Sequence, residues 1–205
     1  MPPKTKFSSE QIVELALEVV RENGLDALTA RELAAKLGTS TRPIFTHFKT
    51  MDELTAEVVA KAKSIYKEYV LAGLEGERAF KSYGLQLLKF AKDEPELYEV
   101  VFMKQGSGPS YESVLESEGN KEEVIKVISW TFDILEEQAS WMFDNLMLYA
   151  HGIASMYRIG AVDFTEEQLD SMLSEMAQTL VTGLKAKDDD KYHFLNPEFR
   201  AKLQG

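Results

Sequence analysis

Within one short stretch, from Ser8 to Glu53, the chain spells three helix starts and two helix stops, and this punctuation narrows the possible fold more than any other feature. A helix start is legible where a hydroxyl residue is followed three positions on by Glu or Gln. The hydroxyl accepts from the third helical N–H while the longer side chain reaches back to the cap. Ser8 with Gln11, Thr29 with Glu32 and Thr50 with Glu53 all have this spacing. Glycine closes helices because it enters left-handed backbone cheaply, and Asn23-Gly24 and Gly38 stand where the first two helices must stop. Ile12, Leu15, Ala16, Val19 and Val20 make one face of the first helix, and Leu33 and Leu37 face inward from the second. Ser40 is expected to cap a third helix running to Phe48, with Pro43 accommodated in its first turn. A fourth, longer helix begins near Met51 and runs toward Leu71.

The remainder reads as helix throughout, with no run of strand-like alternation and no hairpin turn between two such runs. Phe80, Tyr83, Leu87, Leu88 and Phe90 continue the helical period, and Pro95 restarts a short helix at 96–103. Residues 105–109 and 118–120 are loops by composition. Residues 121–138 and 140–159 read as two long apolar helices with little break between them. Thr165 and Gln168 box the last helix, whose stripe is Leu169, Met172, Leu173, Met176, Leu180 and Leu184. The tail after the Asp run at 188–190 is polar. The fold class expected is all-α.

Residues 29–48 carry the functional signal: helix, tight turn at Leu37-Gly38-Thr39-Ser40, helix. Such a pair holds its second helix outward so that its first residues enter the DNA major groove. Ile44, Phe45 and Phe48 are candidate anchors, while Thr41, Arg42, Thr46 and His47 offer hydrogen-bonding groups. Arg42 suits the edge of a guanine, and the hydroxyls suit phosphates or base edges.

Charge first argues against a nucleic-acid partner, because the 205 residues carry a formal net charge of −11. The distribution reverses that. Residues 1–63 hold nine basic and nine acidic side chains, so the whole acidic excess lies beyond them. A polyanion is repelled by the back of such a molecule and admitted at its N-terminal end. The chain has no cysteine, which removes disulfides, thiolate metal sites and cysteine nucleophiles. The opening Met1-Pro2-Pro3 is not followed by the apolar core of a signal peptide, and no stretch approaches the roughly 20 apolar residues of a membrane span. A cytoplasmic protein is expected.

The run at 28–40, Leu-Thr-Ala-Arg-Glu-Leu-Ala-Ala-Lys-Leu-Gly-Thr-Ser, resembles the "LT…LA..LGVS" of tetracycline-repressor-like (TetR/AcrR) transcriptional regulators. Ile44-Phe45-Thr46-His47-Phe48, followed by Leu54, resembles their "LY.HF…..L". Phe90 to Tyr98 and the His151-Gly152-Ile153-Ala154 run resemble segments of their regulatory domains. The resemblance implies a DNA-binding domain at 1–50 and an effector-binding and dimerisation domain at 51–205. It implies DNA contacts from Thr29, Thr39, Ser40, Thr41, Arg42, Pro43, Phe45, Thr46, His47 and Lys49, with His47 and the aromatic at 45 on phosphates. Two positions depart from the pattern. Phe45 replaces a tyrosine and so lacks a phosphate-bonding hydroxyl, and Met51 stands where a phosphate-binding lysine is usual, with Lys49 nearby.

The resemblance further implies a homodimer through the last two long helices. Ala150, Gly152, Ala154 and Ser155 permit close helix approach, and the interface would hold Ala150, Ala154, Leu169, Met172, Leu173, Met176, Leu180 and Leu184. A small apolar or amphipathic effector would lie among Tyr83, Phe90, Tyr98, Phe102, Trp130, Trp141, Met142, Tyr149 and Tyr157, and would release a palindromic operator. No cofactor or metal is expected: three scattered histidines make no zinc pattern, and there is no phosphate-cradling glycine loop. Two other readings stand beside the repressor. One is a helix-turn-helix regulator whose acidic domain docks a protein partner. The other is a helical-bundle enzyme, for which neighbouring Glu136 and Glu137 point about 100° apart and do not converge.

Overall fold

The computed structural model describes residues 7–73, 79–103 and 121–186. The loops read at 105–109 and 118–120, and the tail from Asp188, lie outside them. Among the described residues there are nine α-helices, one 3-10 turn and no strand. The helices are α1 Ser9–Asn23, α2 Ala30–Lys36, α3 Arg42–His47, α4 Met51–Gly73, α5 Ala79–Asp93, α6 Pro95–Phe102, α7 Lys121–Phe132, α8 Glu136–Arg158 and α9 Glu166–Lys185.

Four of the five expected caps form, at Ser8, Thr29, Thr50 and Thr165. The Ser8 hydroxyl accepts from Gln11 N at 3.2 Å, and Gln11 Oε1 accepts from Ser8 N at 2.9 Å. Thr165 and Gln168 repeat this reciprocal pattern at α9. At α4 the Thr50 hydroxyl accepts from Glu53 N, while the Glu53 carboxylate reaches one residue further back, to Lys49 N at 2.6 Å. Gly38 closes α2 with both bonds of a Schellman turn: its N–H donates to Ala35 O and that of Thr39 to Ala34 O, each 3.0 Å.

Two boundaries differ from the sequence reading. α3 is capped at Thr41, with no side-chain bond, and Ser40 stays outside the helix. With Ser40 as cap, the third helical position would be Pro43, which has no N–H to give. The second difference is a clear break between α7 and α8. Asp133 takes φ 50°, a left-handed conformation that a short polar side chain tolerates. Ile134 N then donates to Ser129 O, and Leu135 N to Gln138 Oε1, which starts α8 afresh.

α1 packs on α2, α3 and α4 to make the N-terminal helical group, and it also touches α6. α4 leaves that group carrying a buried stripe of Leu54, Val58, Ala62, Tyr66 and Val70 at every fourth residue. Its far half packs on α5 and α6: the Tyr66 ring lies 5.2 Å from Phe90 and 5.0 Å from Phe102. α5 is the central helix beyond, touching α4, α6, α7, α8 and α9. One continuous apolar core runs from Ile12 of α1 to Leu173 of α9.

Candidate nucleic-acid interface

α2 begins at Thr29, whose hydroxyl accepts from Glu32 N, and it anchors through buried Leu33 and Ala34. After the Gly38 turn, α3 anchors through Ile44, fully buried, and through Phe48 just past its end. Burying these two residues turns the opposite side of α3 to solvent. That side presents Arg42, Phe45 and Thr46, all exposed, with Thr41 and Pro43 half-buried beside them. Thr29, Ser40 and Lys49 are exposed around its rim, and Thr39 is half-buried. The ten residues named from the sequence therefore do gather on α2, the turn, α3 and its exit.

Their hydrogen-bonding capacity is partly committed. The Thr46 hydroxyl donates to Arg42 O at 2.8 Å, a back-bond within the helix. His47 is half-buried and its Nε2–H donates to the Phe7 carbonyl at 2.9 Å, tying α3 to the segment before α1. A carbonyl only accepts, so this bond places a proton on Nε2. Phe45, without a hydroxyl, is 48% exposed and is not one of the buried core residues.

The charges sort themselves by pairing. Glu14, Glu18 and Glu22 lie along one side of α1 at every fourth residue. Lys61 reaches Glu14 at 2.8 Å, and Lys36 reaches Glu22 at 2.7 Å and Glu18 at 3.4 Å. The Glu22 hydrogen bond holds the Lys36 ammonium above its ordinary pKa, and Glu14 does the same for Lys61. The Ser8 hydroxyl holds the Glu10 carboxyl below its ordinary value. Arg31, Arg42 and Lys49, by contrast, are exposed and form no ion pair among the described residues. Arg31 was not among the candidates read from the sequence. Its signal was available, a cation in the first turn of the leading helix, but only its lack of a partner distinguishes it from Lys36.

The C-terminal candidates divide by burial. Tyr83, Phe90, Tyr98, Phe102 and Met142 are buried in the core. The Tyr98 hydroxyl lies 3.0 Å from His151 Nδ1, and the Phe102 ring 4.7 Å from the imidazole. Tyr149 and Tyr157 are half-buried, with the Tyr157 hydroxyl donating to Phe164 O at 3.1 Å. Trp130 and Trp141 stand on the surface, 86% and 48% exposed.

Of the proposed interface residues, Ala150, Ala154, Leu169 and Leu173 are buried within the chain itself. Leu173 lies 3.2 Å from where a Cβ on Gly84 would stand, so α9 meets α5 there. Met172, Met176, Leu180 and Leu184 are half-buried. α8 and the Ile159 that caps it add outward apolar residues that were not read from the sequence, Leu148, Met156 and Ile159 itself.

α6 joins the two halves. Glu94, at its N-terminal end, accepts from Arg21 of α1 in a bidentate pair at 2.7 and 2.9 Å. This pairing holds the Arg21 guanidinium above its ordinary pKa. From the other side Arg158, at the end of α8, reaches Glu96 at 2.9 Å and Glu99 at 2.8 Å.

Among the described residues no cluster of His, Asp or Glu fits a metal ion, and no helix is long and apolar enough to cross a membrane. Residues 12–58 match the family model for bacterial regulatory proteins, tetR family. The class D tetracycline repressor protein of Escherichia coli is 35% identical over 60 residues, which span 27% of this chain and 28% of that repressor. An uncharacterized HTH-type transcriptional regulator of Mycobacterium tuberculosis is 24% identical over 185 residues, 89% of this chain and 84% of that regulator. Among solved structures, a TetR variant from Acinetobacter baumannii in complex with minocycline aligns over 88% of this chain and 97% of its own. The TM-score is 0.58 at 18% identity, a likeness of fold.

Proposed function

We propose, from the premise that this chain is a TetR-like transcriptional regulator, that it is a dimeric cytoplasmic repressor which reads a palindromic operator with α3 and releases it when a small apolar or amphipathic molecule binds. The observation that carries the reading is the outward side of α3. It displays Arg42, Phe45 and Thr46 with Arg31 and Lys49 at its rim, while Glu14, Glu18 and Glu22 of α1 are paired with Lys61 and Lys36. Free cations at one end of an acidic molecule are what a duplex approach requires, and a short helix anchored by its inner side fits the major groove. Arg42 is assigned to a guanine edge. Arg31 and Lys49 are assigned to phosphates.

A second copy would cover the outward apolar residues of α8 together with the half-buried stripe of α9, and would supply the second reading head. The effector would lie near the aromatic group of α4, α5, α6 and α8, where the Tyr98–His151 pair offers polar groups inside an otherwise apolar region. The minocycline complex of the Acinetobacter relative favours a small molecule in this fold. Because α6 is ion-paired to α1 on one side and to α8 on the other, a ligand that shifts α6 would also tilt the N-terminal helices. The division at residue 50 follows, with α1 to α3 as reader and the rest as sensor. Against the enzyme reading, Glu136 and Glu137 are both exposed in the first turn of α8.

The test is operator selection from random duplexes with purified protein, repeated with Arg42→Ala. A palindromic motif is expected, with affinity that falls as salt rises and with selectivity relaxed at one base pair in the variant. Failure to enrich any sequence at low salt overturns the reading.

A further inference from the structure

Phe45 is an exposed aromatic ring at the centre of a surface otherwise made of polar and cationic groups. It lies three residues after Arg42 and four before Lys49, so it shares the outward side of α3 with the arginine. Nearly half its surface is open, and it is not one of the buried core residues. The donors around it are depleted: the Thr46 hydroxyl is spent on Arg42 O, and His47 Nε2 on Phe7 O. A phenyl ring has nothing to offer a phosphate. In the major groove the apolar feature exposed to such a ring is the 5-methyl group of thymine.

We propose that Phe45 is a specificity-determining residue that recognises the 5-methyl group of one thymine in each operator half-site, next to the base pair read by Arg42. The inference rests on α3 being a DNA reader and adds the chemistry of a second read position. Selection then comes from water released between a ring and a methyl group rather than from a hydrogen bond. Discrimination at that position should be modest and insensitive to salt.

The experiment takes the selected operator and replaces each thymine in turn by deoxyuridine, which removes only the methyl group. For the unmodified protein, one replacement per half-site is expected to weaken binding roughly fourfold, the worth of burying one methyl-sized group. Phe45→Ala removes the ring from both protomers, so it is expected to bind the thymine operator roughly fifteenfold more weakly and to be indifferent to the replacement, while Phe45→Leu keeps part of the discrimination. Since Phe45 lies outside the core, the unfolding midpoint of Phe45→Ala should match that of the unmodified protein, which keeps misfolding from imitating the result. If operator binding is strong but no thymine shows a methyl effect, or if Phe45→Ala remains as sensitive as the unmodified protein, the assignment of Phe45 is overturned and the DNA-reader function stands. If no duplex is selected at all, the function itself fails and this assignment with it.

Discussion

Gly24→Ala strikes the joint between α1 and α6 at two points, and the structure separates their sizes. Gly24 has φ 79° and ψ 168°, backbone that is almost confined to glycine and costs an alanine about 1–3 kcal/mol. The added Cβ would also stand 3.0 Å from Glu96 Oε2, so that carboxylate must withdraw, and it is one of the two that hold Arg158. Gly38→Ala is the internal reference. Gly38 has φ 64° but no atom within 4 Å of a new Cβ, so only the left-handed strain of about 1 kcal/mol applies. Urea unfolding followed by circular dichroism should therefore show Gly24→Ala destabilised by about 2–3 kcal/mol and Gly38→Ala by about 1. In a chain of this size that corresponds to a fall in Tm of roughly 4–10 °C for the first variant. Adding Glu96→Ala to Gly24→Ala removes the crowding and should return part of the loss. Equal costs for the two glycines, or a Gly24→Ala variant within about 0.5 kcal/mol of the unmodified protein, would refute the assignment of a strained, crowded joint.

Three further outcomes are expected. Ile44→Ala empties the one fully buried position within α3, so unfolding experiments should register about 2–5 kcal/mol of lost stability, and a loss under 1 would mean α3 is not anchored there. Arg158→Ala leaves Glu96 and Glu99 facing each other without their shared cation. A double-mutant cycle with Glu99→Gln should give a coupling of about 1 kcal/mol at low salt that shrinks at high salt, and additive effects at both would contradict the pairing. Burial, with the Asp93 carboxylate adding, holds the Tyr69 phenol above its ordinary pKa. A raised acid contributes stability that is full below its unfolded value of about 10 and is lost as pH rises through the folded value. Tyr69→Phe should accordingly flatten the alkaline fall in stability, and an unchanged alkaline limb would count against the shift.

Most helix boundaries were legible because the signals are local. A hydroxyl three residues before a Glu or Gln, or a glycine at a helix end, acts through backbone groups within one turn, and Ser8, Thr29, Gly38 and Thr165 all act where they stand in the chain. Ser40 misled because the decisive fact was a missing N–H on Pro43 three residues later. The α7–α8 break was missed because nothing about Asp133 in the sequence marks it for left-handed backbone.

Side-chain commitments were a different matter. The resemblance to TetR-like regulators implies that His47 contacts phosphate, but the structure has its Nε2–H bonded to the Phe7 carbonyl. Trp130 and Trp141 match buried Tyr98 and Phe102 in type and lie on the surface instead. By itself the sequence determined the all-α class, the order of helices, the helix-turn-helix and the confinement of excess acid beyond residue 63, because periodicity, capping and charge are properties of neighbouring residues. Only the tertiary structure decided which cations keep a free charge, which aromatic residues face solvent and that α6 bridges α1 to α8. Arg21 meets Glu94 across 73 positions and Arg158 meets Glu99 across 59, and pairings at that distance are set by how helices pack, not by any pattern along the chain.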